Sequence, residues 1–305
     1  MDKLIQAFEK ESLEIDDNLL KILKIVKNNN NAKEIPEPSP IHISVKSACC
    51  ELNRKLDLTE IAKVIYNLML VNNGPNYKFQ GIEYKDIFKN NLKDEEGSSQ
   101  FYNSCTVVVK ISNRYVNLKL FTNGSISMTG CKDDEDGEKA VKIFIEEMNN
   151  YDNIFNDEKE ELLEYSNYRI TMINGDYFIG YGIIREELFD ILKTDYKLFA
   201  TYEAIRYPGV KVSFMWNSNK DIQNGVCNCS KYCLGKGKKY DGNGEGRCKK
   251  VTIAIFQSGK IIINGTKSMQ QTNAAYNYIN KILNENYDKI VRYSIMDCLN
   301  TDTKE

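Results

Sequence analysis

Apolar residues follow two rhythms along this chain, and the places where one gives way to the other divide it into elements. Leu4, Ile5 and Phe8, then Leu19, Leu20, Leu23 and Val26, recur at helical spacing behind a cap at Asp16 or Asp17, which predicts one or two amphipathic helices before residue 28. The Asn run 28–31 and Pro36, Pro38 and Pro40 follow, and prolines so close together sustain neither a helix nor a central strand. That stretch is read as a linker. From Ile41 onward, β-rich runs at 41–52, 116–120, 168–174 and 251–255 predict strands. Helical spacing returns over 57–70 and 183–193, at Ala140, Val141, Phe144, Ile145 and Met148, and at Ala275, Tyr278, Ile279 and Ile282.

The elements occur twice in the same order. Residues 121–132 read Phe-Thr-Asn-Gly-Ser-Ile-Ser-Met-Thr-Gly-Cys-Lys, and residues 256–267 read Phe-Gln-Ser-Gly-Lys-Ile-Ile-Ile-Asn-Gly-Thr-Lys. Phe, Gly, Gly and Lys recur at a single offset of 135, since 256 − 121, 259 − 124, 265 − 130 and 267 − 132 agree. Each copy reads as strand, tight turn at the first Gly, second strand, then a long helix, and upstream of each a strand leads into another helix. Two such α+β units can pair their sheets edge to edge, with helices on one face and the other face open.

Composition narrows what that open face can meet. A chain of 305 residues, 42% hydrophobic, can fill a sizeable core, yet its formal charge is −2 with a pI near 5.8. Any affinity for nucleic acid must therefore come from a local basic face. No run reaches the ~18–20 apolar residues needed to cross a bilayer, and the acidic start (Asp2, Glu9, Glu11, Glu14) is unlike a signal peptide, so an intracellular protein is expected. Nine Cys then read as reduced thiols or metal ligands.

The doubled turn motif, Tyr202-Glu-Ala-Ile-Arg-Tyr-Pro-Gly-Val210 ahead of a strand, and Lys55-Leu-Asp-Leu58 at the first helix resemble the core of the TATA-box-binding protein family over most of residues 41–285. The resemblance implies an α+β pseudo-twofold saddle: two repeats forming one curved antiparallel sheet, with helices on the convex face. It divides the chain into an acidic helical arm and Pro-rich linker (1–40), a first repeat with connector (41–164), a second repeat (165–290) with a Cys-rich insertion (217–249), and a tail (291–305). It also implies a monomeric general transcription factor that wedges and bends the minor groove of promoter DNA and recruits general transcription factors or RNA polymerase subunits. The divergence and composition resemble the versions carried by large DNA viruses, which places the protein in a nucleus or a cytoplasmic viral factory.

Phe121 and Phe256 fall at the family's wedge position, the alternative being two core Phe at hairpins. Tyr207 matches the partner wedge in the second repeat, and Phe79 is the candidate for the fourth, across an insertion near 86–104 that blurs the match. Alternation places Lys119 on the strand face of Phe121, while Lys110, Lys132, Lys211, Lys260 and Lys267 lie on or beside neighbouring strands, positioned to meet phosphates or simply solvated. Thr129 keeps a polar groove-reading position that the second repeat fills with Asn264. The family's central Asn has no clear equivalent, with Ser44 or Val45 and Met172 near it, and Ser127 replaces an apolar residue. DNA binding is thus expected to survive with an altered preference, limited to A·T against G·C in the minor groove.

Within the insertion, Cys227, Cys229, Cys233 and Cys248 stand among six glycines and few apolar residues, a composition that suits a tetrahedral structural zinc site; the alternative is a loop with reduced thiols or a disulfide. Cys49, Cys50, Cys105, Cys131 and Cys298 read as small apolar residues. Gly235-Lys-Gly-Lys-Lys with Gly242, Gly244 and Gly246 lacks the ending and context of a phosphate loop. His42 is the sole histidine, and Asp133-Asp-Glu-Asp136 reads as the acidic first turn of a helix, so nothing points to an enzyme. A competing expectation is a saddle that serves as a protein-interaction scaffold without DNA affinity of its own.

Overall fold

The structure, a computed structural model, describes residues 35–92, 103–158, 160–219, 222–227, 229, 233, 235–236 and 248–292. The helices expected within residues 1–27, and Cys298, lie outside them. The first half runs β1 (His42–Leu52), α1 (Leu58–Val71), β2 (Phe79–Tyr84), β3 (Ile87–Asn90), β4 (Ser104–Ile111), β5 (Arg114–Phe121), β6 (Ser125–Cys131) and α2 (Asp136–Met148). The second runs β7 (Tyr165–Phe178), β8 (Gly182–Ile183), α3 (Arg185–Thr194), β9 (Phe199–Glu203), β10 (Tyr207–Trp216), β11 (Lys249–Ile255), β12 (Lys260–Thr266), α4 (Met269–Glu285), α5 (Tyr287–Ile290) and β13 (Val291–Arg292).

Eleven of the strands form one antiparallel sheet in the order β3-β2-β4-β5-β6-β1-β7-β12-β11-β10-β9. Outward from the centre, β1-β6-β5-β4-β2 on one side answers β7-β12-β11-β10-β9 on the other, and β3 is an edge strand added to the first half alone. The halves join where the equivalent strands β1 and β7 pair, from His42↔Asp176 to Leu52↔Tyr165. Self-pairing of equivalent strands gives the sheet its pseudo-twofold character.

Strand alternation decides what each face carries. In β5, Val116, Leu118 and Leu120 are fully buried beneath the helices, whereas Tyr115, Asn117, Lys119 and Phe121 point to the opposite face. The buried set packs on Ile61, Ile65 and Met69 of α1 and Val141, Phe144 and Met148 of α2, and a second core joins Val212, Phe214, Ile253 and Ile261 to Leu188 of α3 and Ile279 and Ile282 of α4. Each such Ile or Leu contributes about 1.5–3 kcal/mol relative to exposure, so the helices are held mainly by their sheet-facing stripe. Asp57 caps α1, its carboxylate accepting from the N–H groups of Thr59 and Glu60.

The offset seen in sequence is repeated in the backbone. Gly124 and Gly259 have φ of +84° and +82° in the β5–β6 and β11–β12 turns, and Gly130 and Gly265 have +93° and +85°. At Gly130 and Gly265, β6 and β12 slip register against β1 and β7, as a glycine bulge does. The acidic stretch 133–136 differs from expectation, because α2 begins only at Asp136. That nearly buried carboxylate lies 3.1 Å from Arg114 and accepts from the N–H groups of Lys132 and Asp133, closing the turn that precedes the helix. The proline segment is docked along the end of β7, where Ser39 and Phe178 exchange hydrogen bonds of 2.8 and 3.0 Å.

Candidate nucleic-acid interface

The face opposite the helices is assembled from alternate residues of the sheet strands. On β4 and β5, Thr106 lies opposite Lys119 and Ser104 opposite Phe121; on β10 and β11, Lys211 lies opposite Ala254, and Gly209 comes beside Phe256, next in register. The offset of 135 carries β5 onto β11, and pairing of Cys105 with Leu120 and of Val210 with Ile255 fixes an offset of 105 from β4 to β10. Thr106 is therefore equivalent to Lys211, and Lys119 to Ala254. Each half presents a single lysine at this level, on opposite members of the strand pair.

The next polar pair shows the same exchange. Asn117 of β5 pairs with Thr129 of β6, and Thr252 of β11 pairs with Asn264 of β12. Asn264 is thus no loss of a polar group at this level. The Asn and Thr have traded strands, so both halves offer one hydroxyl and one carboxamide across the same pair. Linear comparison singled out Thr129 and Asn264 but missed Asn117 and Thr252, whose signal appears only once the strands are in register. At the sheet centre, Met172 (37% exposed) lies opposite Ser47, and Asn174 opposite Val45, with the Asn174 carboxamide oxygen accepting from the Gly265 N–H.

The aromatic candidates divide. Phe121 and Phe256 are half-buried at equivalent turns, and Tyr207 packs against Phe256 with ring centroids 5.7 Å apart. The two rings close over Gly209, where a Cβ would fall 3.0 Å from Tyr207 and 3.2 Å from Phe256. Phe121 opens on a hollow lined by Tyr84, Lys85, Thr122 and Ser125. Phe79 does not belong with them. It is fully buried at the start of β2, a strand covered on both faces, and fills the first core. The offset of 105 carries Tyr207 onto Tyr102, next to Phe101 just ahead of β4, and both positions lie outside the described residues. Phe178 (50% exposed) and Phe199 (70% exposed) also lie on the open face; neither was singled out from the sequence.

The lysines divide too. Lys211 places its ammonium 3.7 Å over the Tyr207 ring, a cation–π contact that ties charge to aromatic at one corner of the face. Lys110 is tied to the Pro75 carbonyl and Asn76 at 2.7 and 2.8 Å, and Lys260 lies 3.3 Å from Asp176. Lys132 and Lys267 sit in the turns leading into α2 and α4, their N–H groups capped by Asp136 and Gln271, away from the strand ladder.

Beyond the end of β10, the Sγ atoms of Cys227, Cys229, Cys233 and Cys248 all lie within 4.8 Å of one another, an arrangement that could hold a metal ion. Burial pushes the Cys248 and Cys227 thiols up. Burial acts the same way on Cys233, but the N–H groups of Gly235 and Cys248 and the neighbouring thiols outweigh it and draw that thiol below the ordinary value. Elsewhere Cys50 and Cys131 are pushed up by burial to about 12 and about 11, and Cys105 is fully buried, as small core residues would be; Cys49 stands half-buried on the open face. No described helix is long and apolar enough to cross a membrane.

A sequence model of the family described as "Transcription factor TFIID (or TATA-binding protein, TBP)" matches residues 87–151 and 245–286, the β3–α2 and β11–α4 stretches of the two halves. The chain is 28% identical over 276 residues to a protein of Acanthamoeba polyphaga mimivirus named "TATA-box-binding protein-like", an overlap of 85% of this chain and 69% of that one. Among solved structures, Methanococcus jannaschii TBP aligns with a TM-score of 0.47 and 19% identity, over 81% of this chain and 99% of that one.

Proposed function

Since this chain is a divergent TATA-box-binding-protein-like protein, we propose that its open sheet face binds the minor groove of duplex DNA and bends it, as a transcription factor rather than an enzyme. The observation that carries this reading is the exchange of functional groups between halves: one lysine and one Asn–Thr pair on each side, brought into register by the fold although their members stand on different strands, beside a corner Phe kept at the same turn of each half. A merely solvated face has no reason to keep those groups level while their strands change. Lys119 and Lys211 would neutralise phosphates, the Asn and Thr side chains would meet base edges in the groove, and Phe121, Phe256 and Tyr207 would lever base steps apart. Recruitment of general transcription factors or polymerase subunits then falls to the surfaces the duplex leaves uncovered, the helices and the Cys-rich insertion.

Lysine acylation read by mass spectrometry, with and without an AT-rich duplex, maps the contact. Lys119 and Lys211 are expected to be protected several-fold, while Lys139 and Lys142 on α2 label equally in both states. Protection confined to the helix lysines, or none at all, would remove the open face as the binding surface and favour the protein-interaction scaffold.

A further inference from the structure

We propose that Cys227, Cys229, Cys233 and Cys248 bind one zinc ion as a four-thiolate site that fixes the insertion between β10 and β11. Three separated pieces of chain bring these sulfurs together: the Cys227–Cys229 stretch, Cys233, and Cys248 at the mouth of β11. Cys229 and Cys227 each lie 3.7 Å from Cys248, Sγ to Sγ. Four sulfurs at about 2.3 Å from a tetrahedral metal stand about 3.8 Å apart, and the two Cys248 edges already have that length while all four sulfurs lie within 4.8 Å. A disulfide would draw two of them to about 2.05 Å, and none of the four is in a disulfide.

The surroundings are built for ligands. Asn217, 4% exposed, donates from Nδ2 to Cys248 Sγ at 3.5 Å, and is itself held by Gln223, whose side chain bonds both the N–H and the carbonyl of Asn217 at 3.0 and 2.7 Å. An amide donor held onto a ligand sulfur stabilises the thiolate and fixes its direction. The loop is also registered to the sheet on both sides of the cluster. Met215 donates to the Gly225 carbonyl at 2.8 Å, and Lys250 to that of Gly235 at 2.7 Å, so the sulfurs converge from backbone positions the sheet already dictates.

Binding replaces four S–H bonds by four metal–sulfur bonds, releases the thiol protons to solvent and leaves a net charge of −2 on the cluster. Affinity therefore falls as pH falls. Filled-shell zinc imposes no geometry of its own and does not cycle between redox states, which suits a tie between two strands.

The test is metal analysis of the full chain, purified without a histidine tag under reducing conditions after growth with zinc. One zinc per chain is expected, and cobalt in its place should give the thiolate-to-cobalt charge-transfer absorption and visible bands of a tetrahedral four-sulfur site. Cys229→Ser and Cys248→Ser should lose the metal, whereas Cys49→Ser on the open face should keep it. Zinc removal from wild type should raise amide exchange in β10 and β11 near the insertion and leave β4 and β5 as they were. A wild-type chain that takes up no zinc, or holds iron instead, or yields a disulfide among these four under the same conditions, overturns the proposal; this reading stands even if a variant fails to fold. DNA binding is scored separately, so either claim can fall alone.

Discussion

Replacing Gly259 by Ala should cost at least about 3 kcal/mol of folding stability, among the larger effects available to a single methyl group in this chain. Gly259 adopts φ +82°, and a Cβ there would lie 2.1 Å from the Tyr181 carbonyl oxygen and 3.1 Å from its carbon. A left-handed backbone alone disfavours Ala by about 1–2 kcal/mol, and here the obstacle is backbone, which cannot rotate away as a side chain tip would. Displacing it strains the hydrogen bonds from Ile179 to the Gly259 carbonyl, 3.1 Å, and from Gly259 to Phe256, 3.0 Å. The effect would extend to the proposed DNA contact, because Gly259 follows Phe256 in the same turn and donates to its carbonyl. Urea denaturation checks this with Gly74→Ala as control, since nothing lies within 4 Å of a Cβ at that position and its φ is ordinary; that variant should stay within about 0.5 kcal/mol of wild type. Equal midpoints for the two variants would show that the turn relaxes, and with it that the repeat glycines are not structurally required.

Removing Phe121 and Phe256 together should abolish DNA bending and weaken binding by about 100-fold, while the slope of log affinity against log salt stays as in wild type. The separation follows from chemistry. Phosphate neutralisation sets the slope, and Lys119 and Lys211 are untouched by these substitutions; stacking on a splayed base step sets the bend, and each aromatic contributes about 1–3 kcal/mol to it. The few kcal/mol lost per unstacked step is a figure that belongs to minor-groove wedging proteins such as the TATA-box-binding proteins, and the bend must recover it through extra contact area. Energy transfer between dyes at the duplex ends measures the bend, and salt titration the slope. If the double variant bends DNA as wild type does, Phe121 and Phe256 are ordinary hairpin residues. If the slope falls with the affinity, the aromatics were acting by placing the lysines.

Much of the fold was legible because its punctuation is chemical. Gly124, Gly130, Gly259 and Gly265 recur at one offset in sequence, and each has a positive φ that only glycine adopts without strain. Two copies of strand, helix, strands and helix admit few arrangements, and the central β1–β7 pairing is the simplest closure. The site was less legible because it depends on register. Phe79 fits a fourth wedge in the sequence, but β2 is covered on both faces and pairs outside β4, so its side chain is buried in the first core. The exchange of Lys119 for Lys211, and of Asn117–Thr129 for Thr252–Asn264, is invisible in a linear alignment because each group moved to the adjoining strand. The four insertion cysteines were found from spacing and composition alone; what the structure adds is their convergence and the Asn217 donor.

The central claim is that the open face of the sheet binds duplex DNA, and affinity of the full wild-type chain for AT-rich and GC-rich duplexes across a salt series tests it most directly. Binding at low salt is expected, weakening linearly in log–log terms with a slope near −0.9 for each phosphate neutralised and with AT-rich duplex preferred. Failure to bind either duplex at the lowest salt would contradict it, and the open face would then be a surface for protein partners.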